Sequence, residues 1–161
     1  MVQTILVPTD LRVASLNTLK LALEFLNGVD VRVVLMYAED LKSSSITDLL
    51  FYSRRTRIGN TVSAEFKEAL EILQNRFEAK LSGNIILERF HGYTVSALNN
   101  FIDANRIEMV FVPKTYQLVL NQKSYNPLPL VKKLKLPLHY MEWNANYSDL
   151  TEREQLTALF T

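Results

Sequence analysis

The side chains with chemical reach are few and lie at the ends of short apolar segments. Asp10 follows Ile5-Leu6-Val7-Pro8-Thr9, and Lys114 follows Met109-Val110-Phe111-Val112-Pro113. An acid and an amine so placed outline phosphoryl transfer onto a carboxylate, a chemistry that needs a metal held by several carboxylates around the acceptor. The third apolar segment ends in His91-Gly92 and supplies no further acid, so the outline stays incomplete. His91 has the position of a general base, but spacing fixes no serine or carboxylate beside it. A hydrogen-bonded histidine at a strand end accounts for it, and His139 inside the last apolar segment reads the same way. With no cysteine and only these two histidines, the chain has no thiol nucleophile and almost nothing from which to build a zinc site. The expectation is a protein with no catalytic residue and no metal, and not an enzyme.

The basic side chains are the next candidates. Lys114, Lys123, Lys132, Lys133 and Lys135 offer an anion site, although the last three fit the solvated end of a helix, where cations are favoured. Arg54, Arg55 and Arg57 form a run that reaches a phosphate or an acidic partner only if its loop folds over the right edge. The whole molecule exerts no pull on polyanions: 18 basic against 17 acidic residues leave a net charge of +1. Nucleic acid and anionic membrane are therefore not expected as partners.

The elements that must position these groups follow from periodicity. Ile5–Val7 is a buried strand closed by Pro-Thr-Asp, and Ser15 caps a helix carrying Leu16, Leu19, Leu23 and Leu26 on one face, with Gly28 as its stop. Val31–Tyr37 is a central strand. The pattern lapses from Glu39 to about Thr61, a long insertion with an apolar clump around Leu49-Leu50-Phe51. A second long helix carries Phe66, Leu70, Leu73, Phe77 and Leu81 and ends at Ser82-Gly83-Asn84. Ile85–Phe90 is the third strand, Val95, Leu98 and Ile102 mark the third helix, and Met109–Val112 is the fourth strand. Pro127 opens a short helix through Leu134, and Leu138 begins a last strand that runs to about Trp143.

Five strands joined by helical crossovers predict a three-layer α/β sandwich around a five-stranded parallel sheet, Rossmann-like in plan. Its ligands sit beyond the carboxyl ends of the strands, where strand order reverses. Size and composition suit one core, with 161 residues and 48% hydrophobic content. Residues 1–145 form the domain, and 146–161 form a helical tail. In that tail both Asp149-Leu150-Thr151-Glu152 and Thr151-Glu152-Arg153-Glu154 have capping-box spacing, and Leu156, Leu159 and Phe160 share a face. So short a helix must dock on something. The opening residues read as a strand and not as a signal peptide, and no apolar run approaches membrane length, so the expected location is cytoplasmic.

The run Ile5-Leu6-Val7-Pro8-Thr9-Asp10, followed by Ala14-Ser15-Leu16 and a leucine-rich helix, resembles the opening of the universal stress protein family. Gly92 after the third strand, the strand Glu108–Val112, and Leu136-Pro137-Leu138 continue the resemblance through about Trp143. It implies an adenine nucleotide alpha hydrolase-like fold. It also implies a nucleotide site in which Pro8, Thr9 and Asp10 meet base and ribose while Ala38 and Val112 flank the base. In nucleotide-binding members a glycine-rich loop follows the fourth strand, because backbone N–H groups must approach the triphosphate closely. The matching stretch here runs from Pro113-Lys114 to Ser124, near the family's terminal serine, and contains no glycine in a chain that has only four. Proline at its first position also removes a donor.

The sequence therefore looks like that of a regulatory or binding protein from the branch without ATP binding, a homodimeric scaffold in stress response with no cofactor and an unidentified protein partner. Two alternatives stand beside this reading: an ATP- or AMP-binding protein whose basic side chains replace the loop, and a small-molecule sensor using the same cleft. The resemblance implies dimerisation through the last strand, at Leu138, Tyr140, Met141 and Trp143.

Overall fold

The computed structural model describes residues 1–39, 62–143 and 145–161. Arg54, Arg55, Arg57 and the apolar clump before them lie outside the described residues. The β-branched run at the start folds as β1 (Val2–Pro8), whose Ile5, Leu6 and Val7 are fully buried. It pairs in parallel with β2 (Asp30–Ala38) over seven residues, from Val2 opposite Asp30 to Pro8 opposite Met36. On the far side of β2, β3 (Ile86–Phe90) pairs from Val34 opposite Ile86 to Ala38 opposite Phe90. On the far side of β1 lies β4 (Met109–Pro113), and beyond it β5 (Leu138–Met141). The order β3-β2-β1-β4-β5 is all parallel and reverses between β1 and β4.

Alternation along the strands divides the core into two layers. Ile5, Val7, Val33, Leu35 and Phe111 face one side with α1 (Leu16–Phe25) and α2 (Ala64–Arg76). Leu6, Val34, Met36, Val110 and Val112 face the other with α3 (Val95–Asn105) and the short α4 (Leu128–Val131). Two N-caps follow sequence rules, since Ser63 Oγ accepts from Phe66 N at 3.1 Å and Thr94 Oγ1 accepts from Ala97 N at 3.1 Å. The α/β sandwich expected from the pattern is the observed fold.

Several boundaries differ, each for a local reason. Ser15 stands at the N-cap position of α1, but its side chain makes no capping hydrogen bond. It ends a 3₁₀ turn, Val13–Ser15, and its hydroxyl lies 2.7 Å from Arg12 O and 2.8 Å from Thr9 Oγ1, tying the turn to the end of β1. The first helix ends at Phe25, and Gly28, at φ +75°, serves the turn into β2. The second helix stops at Arg76 well before Leu81, because residues 80–82 pair with β2: Val31 N donates to Lys80 O at 2.9 Å and Ser82 N to Val31 O at 2.7 Å. Four-residue spacing from Phe77 to Leu81 thus imitated a helical face. Helix α4 closes at Val131, with Leu134 N bonded to Val131 O in a tighter turn.

The tail contains a 3₁₀ turn, Ala145–Asp149, and α5 (Glu152–Leu159). Of the two possible capping boxes the second is used: Thr151 Oγ1 accepts from Glu154 N at 3.2 Å, and Glu154 Oε1 accepts from Thr151 N at 3.3 Å. Leu156 and Leu159 join the cluster that holds Val13, Phe66 and Ala69. Polar ties reinforce this, with Lys20 Nζ donating to Leu159 O at 2.7 Å and Arg153 reaching Glu68 at 3.0 Å. Among the described residues no helix is long and apolar enough to cross a membrane. Leu159→Ala removes a side chain that is 1% exposed and is expected to cost about 2–5 kcal/mol, read as a lower urea midpoint at unchanged slope.

Candidate functional site

The crevice where strand order reverses, between β1 and β4, is where a ligand of such a sheet belongs. Here the chain fills it with itself. The stretch 114–126 leaves β4 and turns Tyr116 inward, where the residue is 3% exposed and clusters with Ala14 and Leu118. Its ring stacks on Trp143 at 4.6 Å, and the Trp143 indole donates to Thr18 Oγ1 at 3.1 Å. Its hydroxyl donates to Asp10 Oδ2 at 2.5 Å, and the same oxygen accepts from Val119 N at 2.9 Å. Asp10 Oδ1 accepts from Arg12 N at 2.9 Å, so both oxygens are engaged. Burial pushes the Tyr116 pKa up, and the adjacent Asp10 charge pushes it further.

Past Tyr116 the stretch crosses β1 and reaches β2. Asn121 makes a compact turn: its Oδ1 accepts from Lys123 N at 2.8 Å and Ser124 N at 2.9 Å, while Asn121 N donates to Ser124 Oγ at 2.8 Å. Ser124 forms an antiparallel bridge with Glu39, and Tyr125 N donates to Ala38 O at 3.3 Å. Tyr125 then stacks on Tyr93 at 5.5 Å and its hydroxyl donates to Gly92 O. Gly92 itself is required by space, since a Cβ there would lie 2.5 Å from Ala97 Cβ.

The residues expected at a base and ribose site are brought together but covered. Pro8, Thr9, Val112 and Pro113 are buried, Ala38 is 2% exposed, and Thr9 N bonds to Met36 O. Pro113 is the last residue of β4 and not the first of the loop. Lys114 is exposed and sits 3.6 Å from Glu142 in an exposed pair. Ser124 spends its hydroxyl inside its own turn. Of the residues expected at an interface, Leu138, Tyr140 and Met141 lie on the edge strand β5, where Tyr140 is 49% exposed. Trp143 is drawn inward by Tyr116 and Thr18. His139 stacks on Phe111 at 4.8 Å, which fits the structural reading, and half-buried His91 follows β3.

An open cavity of about 640 Å³ lies beside the covered crevice, between the 121–123 stretch and the ends of β1, β2 and β3. Tyr37, Glu39 and Arg89 line it from the sheet, with Arg12, Lys123 and Glu152 also in its wall. Arg89 Nε meets Glu39 Oε2 at 3.0 Å, with both side chains buried. Burial lowers the Arg89 pKa, and Glu39 opposes that shift. Glu152 Oε2 accepts from Val13 N at 3.0 Å and Gln155 Oε1 from Ala14 N at 3.1 Å, so α5 satisfies N–H groups at the entry to α1. Burial raises the Glu152 pKa, and the Val13 hydrogen bond opposes this. Among the described residues no three metal-ligating side chains gather.

Tyr116, Tyr37, Glu152 and the Glu39–Arg89 pair escaped the sequence reading. A usable signal existed for the pair, because opposite charges end two adjacent buried strands, and buried charges have to be paired. For Tyr116 the sign is clear: its folded pKa lies above the unfolded value of about 10, so its stabilisation is complete below that pH and is lost as pH rises further. Absorbance titration of the seven tyrosines is expected to show a last ionisation that coincides with alkaline unfolding and is missing from Tyr116→Phe.

No protein-family model matches the sequence, and no curated protein matches it. Solved structures do. A hypothetical protein, PH0823, aligns with a TM-score of 0.54 at 14% identity, covering 88% of this chain and 96% of that one. Universal stress protein UspA from Lactobacillus plantarum aligns at 0.52 and 14% identity, covering 88% and 97%. A protein from the universal stress protein family from Burkholderia pseudomallei aligns at 0.51 and 14% identity, covering 86% and 95%. At these identities the likeness is one of architecture: the chain has the parallel-sheet α/β fold seen in solved universal stress proteins.

Proposed function

We propose that this chain is a universal stress protein-like regulatory or binding protein of the branch without the glycine-rich ATP loop, cytoplasmic, not an enzyme, and acting as a homodimeric scaffold for a protein partner. One observation carries the reading. The Asp10 carboxylate, which the family resemblance assigns to a ribose, is taken up by Tyr116 Oη, Val119 N and Arg12 N. A loop without glycine has folded onto the place a triphosphate loop would keep open, and displacing it would uncover buried Tyr116 and Leu118.

A thermal-shift panel of ATP, ADP, AMP and adenosine tests this. A nucleotide present at about 100 times its Kd would add about 2.7 kcal/mol, a shift of several degrees. No shift is expected from any of the four. A saturable shift with ATP would overturn the reading and favour the alternative in which basic side chains replace the loop.

The homodimer is supported by β5, a sheet edge with Tyr140 half exposed on it, since an unpaired edge is a pairing surface. Light scattering is expected to give a dimer mass for the native chain and a monomer mass for Tyr140→Lys, with circular dichroism unchanged.

A further inference from the structure

The sheet ends on a strand whose histidine is clasped by two phenylalanines. His139 of β5 is half-buried, and its ring stacks on Phe111 of β4 at 4.8 Å and 21°. It also meets Phe25, the last residue of α1, at 5.5 Å and 47°. Phe25 is itself 57% exposed. Among the described residues neither ring nitrogen of His139 makes a hydrogen bond or an ion pair. The imidazole is held by its faces, and its polar edge is left to solvent or to whatever lies against β5.

The charged groups of the elements around the ring are few. Helix α1 carries Lys20, whose ammonium donates to Leu159 O, and Glu24, exposed beside Phe25. Strand β4 carries none, and Lys114 just past it pairs with Glu142 just past β5. Tyr140 is the titratable neighbour on β5 itself. No carboxylate among the described residues is committed to balancing a proton on His139.

Backbone bonding fixes what a second copy would meet there. Val110 N donates to Pro137 O at 3.0 Å and Lys114 N to Met141 O at 2.9 Å. Alternate residues from Pro137 to Met141 therefore turn their peptide groups to β4, while Leu138 and Tyr140 turn theirs outward. The side chains alternate as well: Leu138 packs with the layer of α3 and α4, Met141 with that of α1 and α2, and His139 lies over Phe111 on the latter face. Two copies paired edge to edge about a two-fold axis normal to the sheet run antiparallel, and residues directly opposite share a face. Opposed residue numbers must then have an even sum. Two such registers keep most of the four-residue strand paired. One sets His139 against His139, a non-hydrogen-bonded pair whose Cα atoms approach to about 4.5 Å. The other sets Tyr140 against Tyr140 and His139 against Met141. In both, the second copy lies directly against the imidazole.

Covering a neutral imidazole costs little. Covering an imidazolium takes a charge out of water with no carboxylate to receive it, and in the first register it also sets two like charges side by side. Histidine is the side chain whose charge ordinarily changes between pH 5 and 8. We propose that His139 makes the association of two copies through β5 pH-dependent, the dimer forming with neutral imidazoles and separating when they are protonated. The proposal rests on the homodimer reading above and adds a regulation to it. Its sign follows from linkage: the separated chains bind the proton more readily than the dimer, so dissociation is favoured as pH falls.

Analytical ultracentrifugation of the full chain over a concentration series, at about pH 7.5 and about pH 5.5 and constant ionic strength, tests this. The dimer Kd is expected to rise by about tenfold or more at the lower pH, with circular dichroism unchanged. His139→Gln and His139→Phe, the second of which keeps a ring between Phe25 and Phe111, are each expected to give the same Kd at both values while His91 and every carboxylate remain. A native dimer that is equally tight or tighter at the lower pH, or variants that dissociate there as the native chain does, would overturn the proposal and leave the homodimer standing. A monomer at every concentration and both pH values would overturn the homodimer and the proposal together.

Discussion

A single carboxylate organises the carboxyl edge of this sheet. Asp10 leaves β1 with two oxygens and meets donors from two directions, its own turn at Arg12 and the distant Tyr116 and Val119. An aspartate beside a crevice is costly to cover unless its lone pairs are filled. Filling them from within the chain turns an open crevice into a closed one and brings Tyr116 onto Trp143. From there the stretch has one short path to β2, and the Asn121 turn and the Ser124–Glu39 bridge set where the remaining cavity lies. Closure of one site and placement of the other are the same event.

The fold was legible because the strands are apolar and β-branched while the helices are amphipathic, two signals with different periods. Errors arose where a residue had a tertiary duty that its local pattern concealed. Leu81 kept helical spacing but pairs beside β2, and Ser15 holds the cap position of α1 while its hydroxyl bonds across to Thr9. At the site, the absence of glycine after β4 draws attention to the loop, while the direction of its side chains was not legible. Lys114 immediately follows β4 and meets Glu142 in an exposed pair, whereas Lys123, deep in a polar stretch, lines the cavity. Alternation along a strand predicts facing, but an irregular loop has no period to extrapolate. Tyr37 was hidden for another reason, since a tyrosine inside a buried strand reads as core until its hydroxyl partner is known.

The tail shows how a weak helix becomes an integral one. Eight residues are too few to hold a helix in water. Here the capping box starts it, Leu156 and Leu159 supply burial, and Glu152 with Gln155 provide acceptors for the N–H groups of Val13 and Ala14. The tail and the entry to α1 thereby complete each other's hydrogen bonding.

That arrangement bears on the order in which the molecule can mature. The turn at residues 10–15 receives its partners from positions separated by more than a hundred residues, Tyr116 and Val119 first and Glu152 and Gln155 last. Contacts of such long range form late, because the intervening loop must close before they contribute. A chain still emerging from the ribosome therefore has its central strand made early while the lip of that strand stays unfinished, with Asp10 charged and uncovered and the entry to α1 lacking acceptors. Acquisition of the closed edge waits until Tyr116, Val119, Glu152 and Gln155 have all been made, and during that interval the edge is open to whatever else in the cell can supply donors to a carboxylate or acceptors to a helix start.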